Sequence, residues 1–225
     1  MLEIASNSNH SSSHQPGSVA ALSIIEAQAR PSLLKRDAAL FWEGDTVEGY
    51  YRVVSGAVRL CKLMPDGRRQ VADFFAAGDL ILVEFADVHH FTAEAIVDSV
   101  ICYYPRSAID LLAQTDHRFA RQLLSLACER LMSAHSQMLV LGRKTAEERL
   151  ATFLVTQAKR HSTPNRLMSV PMSRADIADY LGLTVETVSR VLSKFKREGI
   201  IDLPDIHSVR VKDCDRLALV SEGEG

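Results

Sequence analysis

Three polar side chains near the C-terminus carry groups that can form specific hydrogen bonds to DNA bases. Glu186, Ser189 and Arg190 are spaced i, i+3 and i+4, so a helix would place them on one face. A carboxylate can accept a hydrogen bond from cytosine N4, a guanidinium can bind guanine O6 and N7, and a hydroxyl can serve several bases. The alternative is an ordinary solvated face, on which Glu186 and Arg190 form only a surface ion pair.

The residues just before this face predict a helix-turn-helix unit that would hold the face outward. Ser173 is a good N-cap, with Asp176 three residues on as the capping-box acid, so a first helix is expected from Arg174 to Leu181. Gly182 allows a tight turn after that helix. Two short helices joined in this way match the helix-turn-helix motif.

A second helix is expected to begin after Thr184, its cap, and to run to Glu198 before Gly199 stops it. In a helix-turn-helix unit this helix lies in the major groove and reads bases with its N-terminal residues. Basic residues without any acid over 187–197 suit phosphate contacts, which supply affinity rather than sequence preference. The expected phosphate contacts lie at the helix N-termini and along the second helix: Ser173, Arg174, Thr184, Thr187 and Lys194.

Further elements are predicted on both sides of this unit. Thr145 and Glu148 fit a capping box, which predicts a helix from Ala146. The segment RLMSVPM is expected to form a short strand, and IIDLPDIHSVRV a β-hairpin or wing.

A helical pattern with heptad spacing precedes these elements. From residue 108 to about 141 the pattern is helical, and apolar residues recur at alternating intervals of four and three positions. This spacing predicts a coiled-coil seam between two copies of the chain. The alternative is one amphipathic helix lying on its own domain. The residues expected at the dimer interface are Leu124, Ala127, Leu131, Ala134, Met138 and Leu141.

The segment over 38–105 has the residue composition and turn spacing typical of β-strands. Short runs rich in β-branched and aromatic residues alternate with the turn signals SG, PDG and AGD, which predicts a β-roll, barrel or sandwich. Alternation is imperfect: Val58 and Leu60 would face one way, with Arg59, Cys61 and Leu63 opposite. The strands are therefore better defined than their register.

Composition excludes several classes of protein. The chain has 225 residues and a net charge of −2, so it is no polycation as a whole. Its four cysteines are far apart and form no CxxC pair, which argues against a disulfide framework and a zinc finger. Residues 1–18 read as a disordered tail, 19–29 as a short helix, and no signal peptide or membrane-spanning run is visible. A soluble cytoplasmic protein is expected.

The residues quoted above also resemble a known family. The segment SRADIADYLGLTVETVSRVLSKFKREGII closely resembles the DNA-binding segment of the CRP/FNR family of bacterial transcription regulators, in particular its FNR/FixK branch. LGRKTAEERLATFL resembles the stretch after that family's dimer helix, and GYYRVVSGAVRLCKLMPDGRRQVADFFAAGDL its sensory β-roll.

The resemblance implies an α+β fold: an N-terminal cupin-like β-roll, a long dimerisation helix and a C-terminal winged helix-turn-helix. On this sequence the expected ranges are a disordered tail over 1–18, the β-roll over 19–107, the dimerisation helix over 108–142 and the winged helix-turn-helix over 143–225.

The resemblance also implies a function. Glu186, Ser189 and Arg190 match the E-x-x-S-R signature of FNR-type readers, which favour TTGA-containing half-sites. A homodimer would bind two such half-sites in double-stranded DNA, about 34 Å apart. Acting as an activator, it would also contact RNA polymerase.

The sequence departs from the family pattern at the residues that bind an iron–sulfur cluster or a cyclic nucleotide in other members. Cys102 matches the internal cysteine of the oxygen-sensing members, but no cysteine precedes Cys61, and one thiolate cannot hold an iron–sulfur cluster. Glu84 lacks the glycine that precedes it in cyclic-nucleotide binders, and Phe91 and Thr92 stand near the expected Arg-Ser pair. Without that arginine a buried phosphate would lose its charge partner. No cofactor is expected.

Two alternatives stay open. A regulator of the same family could be switched by a ligand, or by oxidation of a thiol such as Cys214 near the predicted wing. A cupin-type metalloenzyme would need clustered histidines and carboxylates, whereas the adjacent His89 and His90 would point to opposite faces of a strand. We therefore expect neither enzymatic activity nor a metal.

Overall fold

The fold is seen in a computed structural model, which describes residues 31–81, 86–161, 163 and 165–224. The predicted tail over 1–18 and the predicted helix over 19–29 lie outside these residues. The described part has mixed α and β structure in three regions along the chain: a two-sheet roll, a pair of consecutive helices and a winged helix-turn-helix. The expected α+β fold class is confirmed.

The roll consists of two four-stranded antiparallel sheets. Its strands are Pro31–Leu34 (β1), Ala39–Phe41 (β2), Gly49–Ser55 (β3), Ala57–Leu63 (β4), Arg69–Ala76 (β5), Leu80–Ile81 (β6), Thr92–Ala95 (β7) and Ser99–Pro105 (β8). One sheet has the order β1-β8-β3-β6 and the other the order β2-β7-β4-β5. Val53, Val58, Leu60 and Ile101 are among the buried residues that fill the space between them. The β-roll prediction is confirmed.

Two helices follow the roll where the sequence predicted one. They are Arg106–Thr115 (α1) and His117–Arg143 (α2). Asp116 breaks the run because its backbone is extended, with φ −121° and ψ 101°. Its carboxylate accepts the backbone N–H groups of Arg118 and Phe119, at 2.8 and 3.2 Å, and so caps α2. Among the described helices none has both the length and the apolar character needed to cross a bilayer.

The C-terminal region is a winged helix-turn-helix. Its helices are Ala146–His161 (α3), Arg174–Leu181 (α4), Val185–Arg197 (α5) and Cys214–Glu222 (α6), and its strands are Leu167–Ser169 (β9), Ile201–Asp205 (β10) and Ser208–Val211 (β11). The strands form one sheet in the order β10-β11-β9, which confirms the predicted wing. Thr145 and Glu148 make the reciprocal bonds of the predicted capping box, at 3.1 and 3.4 Å.

The outer face of the β2-β7-β4-β5 sheet is covered by this C-terminal region. Cys61, Val71 and Phe74 of β4 and β5 belong to the same buried apolar cluster as Ile177 and Leu181 of α4. Both faces of β4 are therefore buried. This explains why a simple alternation of polar and apolar residues does not mark that strand.

The turn between β3 and β4 provides a stability test. Gly56 has φ +91°, and a Cβ atom there would lie 2.7 Å from Cα of the buried Ser99. Gly67 has a similar φ of +85° but open space around it. We expect Gly67→Ala to lower the free energy of unfolding by about 1 kcal/mol, through backbone strain alone. Gly56→Ala should lower it by about 3 kcal/mol or more, because it adds an overpacking clash to the same strain.

Urea denaturation of both variants measures the difference. Equal losses at the two positions would show that the close approach of Gly56 to Ser99 is not a constraint on the fold.

Candidate nucleic-acid interface

The first helix of the helix-turn-helix unit, α4, is fixed at both ends by local interactions. This helix-turn-helix is called the reading unit below. Ser173 Oγ accepts the Asp176 N–H at 3.1 Å, and Asp176 Oδ2 accepts the Ser173 N–H at 3.0 Å, which completes the predicted capping box. Gly182 ends α4 in the left-handed conformation, with φ 61° and ψ 41°. The helix therefore has the predicted bounds, Arg174–Leu181.

The second helix presents the three predicted base-reading side chains to solvent. Thr184 caps α5, which ends at Arg197, one residue earlier than predicted, with Glu198 as its C-cap. Four apolar residues of α5 are buried in the winged helix-turn-helix: Val188, Val191, Leu192 and Phe195. Glu186, Ser189 and Arg190 are exposed on the opposite side. The structure thus brings them together on one face, while their contact with bases stays a prediction.

Hydrogen bonds around Thr184 order the exposed end of α5. Thr184 Oγ1 accepts the Thr187 N–H at 3.2 Å and lies 3.1 Å from Thr187 Oγ1, to which Arg190 Nη2 donates at 3.3 Å. The pKa of Glu186 is lowered by its own backbone N–H, by the Thr184 hydroxyl and by the charge of Arg190. In the described structure Glu186 and Arg190 form no ion pair. Their positions are therefore not explained by the surface ion pair considered as an alternative.

The predicted phosphate contacts at the N-terminus of α4 lie on accessible surface. Ser173 is exposed, although its hydroxyl already donates to Asp176 Oδ2 at 2.7 Å. Arg174 is half-buried, and burial lowers the pKa of its guanidinium. No carboxylate among the described residues pairs with Arg174, which leaves its charge available to an external anion.

Lys194 fits the predicted phosphate contact less well. Its Nζ lies 2.6 and 2.7 Å from the two carboxylate oxygens of Glu147, so a phosphate would have to displace that partner. Arg197, one turn or less away, is exposed and lines the same open groove, of about 610 Å³, between α5 and the start of α3. Within the described residues Arg197 has no acidic partner. It lay in the basic run over 187–197 but was not among the predicted contacts.

The seam predicted on α2 is largely exposed. Leu124, Leu131 and Met138 have 65, 56 and 69 % of their surface accessible, and Ala127 and Ala134 are also exposed. Leu141, the last predicted residue, is partly buried.

The opposite side of α2 packs on the chain itself through Phe119, Leu123 and Val140. The seam is thus not covered by its own domain. Met132 and Leu139, exposed at 63 and 67 %, extend the apolar face beyond the residues predicted from the heptad steps.

The cysteines considered as sensors lie in different surroundings. Cys102 is partly buried on β8, packed against an apolar cluster of the roll. Cys61 is buried, and burial and the nearby Glu94 raise the pKa of its thiol to about 11. Cys214 is exposed as the first residue of α6, shortly after the wing strand β11.

The residues of the roll that were considered as possible ligands lie in different surroundings. His89 is buried and stacks on Phe41, with ring centroids 3.7 Å apart, while His90 is exposed. Phe91 packs against the roll interior and Thr92 Oγ1 accepts the Glu43 N–H at 3.0 Å. In the parts of the chain that the structure describes, no three potential metal ligands cluster. Glu84 lies outside the described residues.

Two family models match the chain, one for each end. Residues 32–116 match the cyclic nucleotide-binding domain, and residues 148–220 match the Crp-like helix-turn-helix domain. The first match covers the roll and the second covers the winged helix-turn-helix.

Relatives extend the similarity over most of the chain. The nitrogen fixation regulation protein FixK of Azorhizobium caulinodans is 39 % identical over 198 residues, which are 86 % of this chain and 80 % of that protein. The protein of the same name from Rhizobium meliloti is 40 % identical over 79 % of this chain and 81 % of its own length. The structure of FixK2 from Bradyrhizobium japonicum superposes with a TM-score of 0.82 at 40 % identity, covering 85 % of this chain and 96 % of that one. With both family models matched and this identity held over most of its length, the chain belongs to the CRP/FNR family of DNA-binding transcription regulators.

Proposed function

We propose that this regulator activates transcription in the cytoplasm by binding palindromic TTGA-type half-sites as a homodimer. The observation that carries the proposal is the common exposed face formed by Glu186, Ser189 and Arg190 on the first turns of α5. The FixK relatives, named as nitrogen fixation regulation proteins, support a regulatory role. A protein of Rhizobium leguminosarum named as a probable transcriptional activator, 36 % identical to this chain over 178 residues, supports the activating role.

Two side chains of this face, Arg190 and Glu186, can each bind a base of the half-site. The Arg190 guanidinium can bind O6 and N7 of the guanine in TTGA, and the Glu186 carboxylate can accept from N4 of the paired cytosine. The Glu186 carboxylate is ionised at neutral pH, as any exposed glutamate is, and is therefore an acceptor. Arg174 and Arg197 flank the face with cations that can contact phosphates.

The exposed side of α2 supports the dimer. The helix has 27 residues, so it is about 40 Å long and can align two copies along several turns. Burying a large apolar side chain is worth about 1.5–3 kcal/mol, and Leu124, Leu131, Met132, Met138 and Leu139 are all accessible in the single chain. A pair of chains would present two reading helices to half-sites about 34 Å apart. Activation then requires contact with RNA polymerase.

The first test separates base reading from phosphate binding on α5. Arg190→Ala should weaken binding to a palindromic TTGA duplex by about 1–3 kcal/mol and remove the preference for guanine at its position. Arg197→Ala, the matched control, removes the same charge from the same helix. It should weaken binding to all sequences equally and reduce the slope of log K against log salt by about 1.

Fluorescence anisotropy on cognate, guanine-substituted and scrambled duplexes measures both effects. If Arg190→Ala keeps the preference for guanine, or if the unmutated protein binds all duplexes equally, the proposed reading is wrong.

The second test addresses the apolar seam. Leu131→Glu should give a monomer and abolish tight binding to the palindrome, because the pair would bury two unpaired carboxylates. Leu111→Glu places the same charge on α1, at a leucine that is 62 % exposed compared with 56 % for Leu131. It should remain dimeric. Sedimentation velocity decides between them, and a dimeric Leu131→Glu variant or a monomeric unmutated protein would contradict the proposed seam.

A further inference from the structure

Two arginines on the outer face of the roll reach the first helix of the reading unit. Arg59 lies on β4 and Arg69 on β5, and their side chains are only 11 and 27 % exposed. Both bind Asp176 of α4, whose side chain is 3 % exposed. Arg69 Nη2 donates to Asp176 Oδ1 at 2.8 Å, and Arg59 Nη1 donates to the same oxygen at 3.3 Å.

The Asp176 carboxylate thus serves two structures at once. Its Oδ2 accepts the backbone N–H and the hydroxyl of Ser173, which fixes the N-terminus of α4. Its Oδ1 accepts the two guanidinium groups of the roll. Charge-assisted bonds of this kind are stronger than neutral ones, and a buried carboxylate that lost its cations would be left uncompensated. The helix cap and the contact with the roll are therefore coupled.

A second contact lies almost one turn further along α4. Arg69 Nε donates to Asp179 Oδ2 at 2.8 Å, and the neighbouring Gln70 donates its side-chain N–H to the Asp179 carbonyl at 2.7 Å. Strand β5 therefore holds α4 at residues 176 and 179, which are i, i+3 neighbours on one face. Two attachments along the helix restrict its rotation as well as its distance from the sheet.

Arg59 is itself oriented within the roll. Glu94 of β7, which pairs with Arg59 across the sheet, accepts its Nε–H at 2.8 Å. Asp37 lies 3.3 Å from Arg59 Nη2. The guanidinium is thus directed toward α4 by carboxylates that belong to the roll and lie on other strands and turns.

We propose that Arg59 and Arg69 are positioning residues for DNA recognition: they fix the orientation of the helix-turn-helix unit on the roll and hence the separation of two reading helices in a dimer. The inference rests on the proposed function, since it needs a dimer that reads two half-sites. A reading unit held in one orientation binds both half-sites without first being ordered, so the bond network contributes to affinity although neither arginine touches DNA.

The test compares the double variant Arg59→Gln/Arg69→Gln with Arg68→Gln. Arg68 lies in the same hairpin, is 82 % exposed and pairs only with Asp66 among the described residues, so its variant removes a positive charge without touching α4. Each protein is titrated with a duplex carrying the full palindrome and with a duplex in which one half-site is scrambled. We expect the double variant to lose affinity for the palindrome by about tenfold or more, and to keep its affinity for the single half-site within about twofold.

This ratio separates a positioning role from damage to the reading unit, because a misfolded helix-turn-helix would lose both affinities together. An unchanged ratio in the double variant, or the same change in Arg68→Gln, would overturn the inference. Should the unmutated protein show no preference for the palindrome over a scrambled duplex, the proposed function itself fails.

Charge exchange provides a second route that does not depend on the double variant folding well. Arg69→Asp alone should reduce the preference for the palindrome, because it places a carboxylate against Asp176 and Asp179. Adding Asp179→Arg should restore the preference in part, because it re-forms the pair between positions 69 and 179 with the charges exchanged, although not the bond of Arg69 to Asp176. A purely local stabilising role of Arg69 in the hairpin would not be rescued by a substitution on α4. Absence of rescue would count against direct positioning through this pair.

Discussion

The rest of the structure depends on a buried carboxylate that is bonded from two sides. Asp176 closes the first turn of α4 through Ser173 and is held from the roll by Arg59 and Arg69. A carboxylate buried without such donors would be strongly unfavourable, so the burial of Asp176 against the roll depends on the bonds from Arg59 and Arg69. Because α4 leads through the left-handed Gly182 directly into α5, this interaction also sets where the exposed face of the second helix points.

Apolar packing surrounds this interaction and joins the roll to the winged helix-turn-helix. Phe74 of the roll contacts Phe153 of α3 and Tyr180 of α4, with ring centroids 6.4 and 5.1 Å away. Burial and the nearby Asp73 raise the pKa of Tyr180 to about 12 at this junction.

Helix α2 is tied to both neighbours. Arg130 donates to Asp73 of β5 at 2.9 Å and its guanidinium lies over the Phe75 ring, while Gln137 donates to the Tyr180 carbonyl at 3.0 Å. The helix that carries the exposed apolar seam is therefore fixed relative to both the roll and the reading unit. In a pair of chains joined through α2, the two reading helices would therefore be held at a defined separation.

The sequence predicted those parts of the structure whose signals are local. The caps at Ser173 and Thr184 and the turn at Gly182 lie within a dozen residues of one another. The observed bounds of α4 match the predicted ones, and α5 ends one residue earlier than predicted. The break at Asp116 was missed because the helical period continues across it. Heptad steps found Leu124, Leu131 and Met138 but not Met132 and Leu139, since stepping by four and three follows a narrower stripe than the one that is exposed.

Interactions between distant residues could not be predicted in this way. Asp176 was interpreted only as a capping acid, because its bond to Arg69 joins residues 107 positions apart. The pairing of Lys194 with Glu147, 47 positions away, likewise leaves no mark in the local pattern. The imperfect alternation of polar and apolar residues in β4 did reflect long-range structure, because that strand is buried on both faces.

The central claim is that the roll and the helix-turn-helix unit form one packed body, and the Cys61 thiol tests it most directly. Cys61 lies on the outer face of β4, in the apolar cluster shared with α4, and is 4 % exposed with a pKa of about 11. Alkylation of the folded protein, followed by peptide mass spectrometry, measures its reactivity against that of the exposed Cys214. The account predicts that Cys214 reacts rapidly and that Cys61 reacts no faster than the protein unfolds. Labelling of Cys61 in the folded protein at a rate close to that of Cys214 would contradict it.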